Sequence, residues 1–95
     1  MHLIYLANTE RAALGEPAVE RMCAIIARSF PSAVVEELHG IYEGARSPVL
    51  IARIRTGSTA GIVALAQRLC LEFRQRFVGI ELGGRYLRIY ADDTA

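Results

Sequence analysis

His39 follows Glu36 and Glu37 at spacings of three and two residues. It is the one place in this sequence where an imidazole and a carboxylate could share a proton. Imidazole titrates near neutrality, and a carboxylate can orient it as a general base. Arg53 or Arg88 would hold an anionic group beside that pair. Such chemistry needs a concave site, and a flat sheet offers one only where a second subunit covers it. The competing reading is that His39 is a solvated surface histidine among charged neighbours. With His2 as the only other histidine and no ligand spacing to Cys23 or Cys70, no metal site is expected, and no cofactor is implied.

Two further sets of residues can bind rather than react. Thr56-Gly57-Ser58-Thr59 precedes an apolar periodic run, so Ser58 and Thr59 either cap a helix or, through its free N–H groups, hold an anion. Capping is the simpler reading, because no phosphate-loop or GxGxxG motif accompanies them. Tyr86 and Tyr90 could stack bases while Arg53, Arg55 and Arg88 meet phosphates. The Lys/Arg-Gly-Phe run of sheet-face RNA binders is absent, however, and the net charge is only +1. All eleven basic residues are Arg, which excludes a Schiff-base lysine, a lysine general base and a Walker-type loop.

These residues depend for their positions on seven elements. Leu3–Ala7 reads as a first strand, followed by a loop over residues 8–16. Pro17 opens a helix whose apolar stripe is Val19, Met22, Cys23, Ile26 and Phe30, and Pro31 stops it. Residues 34–43 alternate imperfectly around Gly40, which suggests a bulge. Residues 44–47 read as a turn, and Pro48 starts a third strand running from Val49 to Arg55. A second helix is traced by Ile62, Leu65, Ala66, Leu69, Phe73 and Phe77, widened by Val63 and Cys70, with Leu71 on the far side. Both cysteines are expected to be reduced and buried.

Gly83-Gly84 separates two alternating runs, and a two-residue hairpin needs positive φ at both positions. Pairing outward from that turn sets Ile80 opposite Leu87 and Val78 opposite Ile89 on one face. Glu81 opposite Tyr86 and Gly79 opposite Arg88 fall on the other. The order β-α-β-β-α-β-β resembles the ferredoxin-like split β-α-β sandwich with its last strand folded into a hairpin. That resemblance implies an α+β fold, one antiparallel sheet with both helices on one face. It carries no functional residues with it.

The uncovered sheet face is then the surface left for function. Val49, Ile51, Arg53, Arg55, Tyr86, Arg88 and Tyr90 are expected there, with Glu36 or Glu37 and His39 from the second strand. Cross-strand Glu–Arg and Tyr–Arg pairing would account for the polar part at a few tenths of a kcal/mol per pair. The apolar part is more than a solvated face needs, which points to sheet-to-sheet or edge-mediated self-association, or to a small-molecule ligand. The sequence therefore favours a small non-enzymatic binding or interaction protein acting as a homodimer through its open face. The alternatives are a small-molecule enzyme with a site between subunits, and a single-stranded nucleic-acid binder. Ninety-five residues, 53% hydrophobic and 22% charged, read as one domain over 1–91 with a loose tail at 92–95. With no signal-peptide pattern and no long apolar run, a cytoplasmic protein is expected.

Overall fold

The computed structural model describes residues 2–7 and 16–90. The elements are β1 (His2–Ala7), α1 (Glu16–Ala27), β2 (Ala33–Tyr42), β3 (Ala45–Ile54), α2 (Thr59–Glu72), β4 (Phe77–Leu82) and β5 (Arg85–Tyr90). Five strands form one sheet in the order β2-β3-β1-β4-β5, and every neighbouring pair is antiparallel. β1 and β2 thus run parallel with β3 between them, as do β3 and β4 with β1 between them. Each helix is a crossover within such a split unit, and the right-handed sense of crossovers places both on one side.

That side is the core. Ile4 and Leu6 from β1, Leu50, Ala52 and Ile54 from β3, and Val78 and Ile80 from β4 meet Met22, Ile25 and Ile26 of α1 and Ile62, Leu65, Ala66, Leu69 and Cys70 of α2. The expected loop at 8–15 and the tail at 91–95 lie outside the described residues.

Several expectations need correction. The stripe of α1 is Ala18, Met22, Ile25 and Ile26, so Cys23 is exposed. Ile25 rather than Cys23 faces the sheet, a rotation that a short helix with apolar residues on both candidate faces does not reveal in its spacing. Cys70 is buried and its thiol donates to the Ile89 carbonyl at 3.2 Å. Burial disfavours the thiolate. A thiol reagent is therefore expected to label one cysteine, Cys23, rapidly in the native protein, with Cys70 following only on unfolding. Two fast thiols would show that α2 is not seated as described.

The β2–β3 ladder is unbroken from Ala33↔Ile54 to Tyr42↔Ala45, so Gly40 sits in regular pairing opposite Ser47 and marks no bulge. The turn is Glu43-Gly44, both with positive φ (51° and 80°), beginning one residue before the expected 44–47 turn and only two residues long. Glutamate is an uncommon occupant of that left-handed position, which hides the turn. Pro48 consequently lies inside β3 rather than at its start. β1 pairs β3 only from Val49 onward, so Pro48 is laddered on one side among the described residues, a place where a missing N–H is tolerated.

Phe77 opens β4 instead of closing the helix stripe. α2 stops earlier because Arg74 takes a positive φ of 52°. Arg74 N donates to Leu71 O at 3.4 Å and Gln75 N to Cys70 O at 2.9 Å, a Schellman closure that turns the chain back and buries Gln75.

The β4–β5 hairpin has the expected register, Val78↔Ile89, Gly79↔Arg88, Ile80↔Leu87 and Glu81↔Tyr86. Gly83 and Gly84 have φ of 59° and 84°, as a two-residue hairpin requires. Gly84→Val is expected to destabilise the protein by about 1–3 kcal/mol through backbone strain. Arg85→Ala, at an exposed position, should change stability by no more than about 0.5 kcal/mol. Denaturant melts of both variants check this, and a larger loss for Arg85→Ala would place the strain elsewhere.

Candidate functional site on the open sheet face

Because strand residues alternate, the two ladders on either side of β1 define rows across the open face. One runs Val34, Arg53, Leu3, Glu81, Tyr86 and the next Glu36, Ile51, Tyr5, Gly79, Arg88. The face divides into an aliphatic half on β2 and β3 and an aromatic, charged half on β1, β4 and β5.

In the second half, the Tyr5 hydroxyl donates a hydrogen bond to the Glu81 carboxylate. The Tyr86 ring lies tilted at 52° to Tyr5, with centroids 6.3 Å apart. It covers Gly79, where an added Cβ would fall 2.6 Å from the Tyr86 hydroxyl oxygen, so only glycine leaves room for the ring. Burial first, and then the hydrogen bond with Glu81, pushes the Tyr5 pKa from 10.0 up to about 12. Tyr5 is thus a proton donor throughout the neutral range. Arg88 sits 4.4 Å from the centroid of the Phe77 ring, and Phe77 packs on Tyr90 with centroids 5.7 Å apart. Hydrogen bonds with Tyr86 and then Tyr90 raise the Arg88 pKa further. In the aliphatic half, Arg53 Nε lies 2.9 Å from Glu36 Oε1, an ion pair whose Nε–H is not aimed as a hydrogen bond.

The expected site residues separate accordingly. Arg53, Tyr86, Arg88 and Tyr90 share the open face, with Val49 and Ile51. His39 does not. It pairs with Pro48, in phase with Glu37↔Leu50, and so belongs to the helix side of the sheet, which removes it from any dyad facing Arg53. Of the two β2 carboxylates, Glu36 rather than Glu37 is on the open face. The misplaced Gly40 bulge had left that phase undetermined. Arg55 is exposed beyond the end of β3. Ser58 is the N-cap of α2, accepting from Gly61 N at 3.0 Å, and Thr59 is the first helical residue. Both are on the helix side, where Ser58 borders a groove of about 850 Å³ that also involves Phe30, Arg68 and Leu71.

Sequence reading missed Tyr5 on this face and its hydrogen bond with Glu81. Alternation already put Leu3 and Tyr5 on one face of β1. Strand order alone brings Tyr5 against Glu81, 76 positions away. Among the described residues no three His, Cys, Asp or Glu side chains group as metal ligands. No helix among them is long and apolar enough to cross a membrane.

No protein-family model matches the sequence, and no curated protein matches it. Among solved structures, the chain is similar to a phage SAM lyase in its apo state, at 21% identity and a TM-score of 0.65, over 99% of this chain and 90% of that one. The similarity is one of fold, and it extends over nearly the whole of both chains.

Proposed function

We propose that this protein is a small-molecule enzyme whose substrate lies on the aromatic half of the open sheet face, and that the substrate is SAM, cleaved as by a lyase. The observation that carries the reading is the half-buried Glu81 carboxylate, oriented by the Tyr5 hydroxyl and flanked by Tyr86. SAM bears a sulfonium cation. A carboxylate attracts it, and electron-rich rings add about 0.5–2 kcal/mol of cation–π attraction depending on desolvation. In an elimination the same carboxylate takes the proton from the carbon β to the sulfonium, the C–H pair becoming a C=C bond while the C–S pair stays on sulfur as the neutral thioether. Tyr5, held protonated, fixes its orientation. The fold shared with a phage SAM lyase supports this choice of substrate over other cations.

Incubation of the purified chain with SAM, followed by chromatography, is expected to show catalytic conversion to a neutral thioether. SAM left unconsumed at stoichiometric protein would sink the reading. A second reading, self-association through the open face, draws support from the aliphatic half, where Val34 is 56% and Leu38 37% exposed. In that case Ile51→Glu would dissociate the protein in light scattering, whereas a monomeric wild type would dismiss it.

A further inference from the structure

Strand β2 closes one edge of the sheet, and among the described residues its protection is confined to the two carboxylates Glu36 and Glu37. It is ten residues long, its ladder to β3 is unbroken, and it contains neither Pro nor Lys. Exposed edges of that kind are templates for pairing, which bulges, prolines, lysines or short strands normally prevent. The opposite edge, β5, is shorter at six residues and carries two arginines. β2 also displays Ile41, 80% exposed on the helix side, together with Val34 and Leu38 on the open side.

We infer that β2 pairs antiparallel with β2 of a second copy of this chain, about a two-fold axis at Leu38, making one continuous sheet. Directly opposed residues in such a pair share a face, which leaves few registers to compare. An axis at Leu38 sets Leu38 against itself, Glu37 against His39 of the second copy, and Val35 against Ile41 of the second copy. A carboxylate therefore meets an imidazole N–H donor twice, and apolar contact also occurs twice. An axis at Glu36 or Glu37 would oppose like carboxylates, and one at His39 would set Glu37 against Ile41. Beside Val35 the surface holds a recess of about 220 Å³ lined by Cys23, Ile26 and Ala27, among others. In the Leu38 register the protruding Ile41 of the second copy is brought to that recess. The pairing leaves the aromatic half of the open face uncovered, so it stands or falls independently of the proposed SAM chemistry.

The test combines sedimentation velocity with crosslinking by a short bis-thiol reagent in a Cys23→Ser background. Wild type is expected to sediment as a dimer at high micromolar concentration and Ile41→Asp as a monomer, without loss of circular dichroism because Ile41 is exposed. Leu38→Cys should crosslink nearly completely and Tyr86→Cys, on the open face, hardly at all. A monomeric wild type, a dimer that survives Ile41→Asp, or crosslinking at Tyr86→Cys in place of Leu38→Cys would each overturn the inference.

Discussion

Glu81→Gln is expected to lower SAM turnover by about 10²–10⁴-fold, the range for removing a positioned general acid or base. The substitution keeps the shape of the side chain and removes the charge that a sulfonium would seek, along with the basicity that a proton acceptor needs. Its effect on Tyr5 provides a readout free of catalysis. Burial is the larger cause of the raised Tyr5 pKa and Glu81 the next, so the pKa should fall from about 12 toward, without reaching, 10.0. The sign for stability follows from the neutral form being favoured in the fold. Tyr5 contributes stability that is complete below pH about 10 and is lost as pH rises toward 12. Spectroscopic titration of tyrosine and a turnover assay on the same variant check both parts. Glu37→Gln, an exposed carboxylate on the helix side, is the control expected to change neither. Unchanged turnover in Glu81→Gln would remove Glu81 from the chemistry, whatever the substrate.

Ile4→Ala should have the largest effect on stability. Ile4 is fully buried in the central strand, flanked by Ala52 on β3 and Ile80 on β4 in the same row. Cavity-forming substitutions of this type cost about 2–5 kcal/mol, and backbone pairing on both sides limits how far β1 can relax into the space. Domains of this size have about 5–15 kcal/mol in total, so a large share of the stability would go. In a thermal melt each kcal/mol corresponds to about 4–8 °C. Leu71→Ala, at a position 66% exposed, should stay within about 0.5 kcal/mol of wild type. Comparable melting temperatures for the two variants would mean that the core is not centred on β1.

The element order, the antiparallel sheet, the α2 core face from Ile62 to Cys70 and the Gly83-Gly84 register follow from short-range rules. A 3.6-residue period, a two-residue alternation and a glycine pair that demands positive φ act over a few residues, and they are legible in the chain. The alternation of β3 and β5 likewise placed Arg53, Tyr86, Arg88 and Tyr90 on the uncovered face. Local rules failed where two of them competed or where the occupant of a special position was unusual. Glu43 in the left-handed region displaced the first hairpin turn, and with it the phase of His39. Arg74 in that same region ended α2 before Phe77. Apolar residues on two faces of α1 left Cys23 assigned to the wrong one. What only the tertiary structure decided is the order of the strands. Placing β1 between β3 and β4 carries Tyr5 to Glu81 and Tyr86, and no local pattern encodes that meeting. It is set by which arrangement buries Ile4 and Leu6 in the single core between the sheet and the helices, a property of the whole core rather than of any segment.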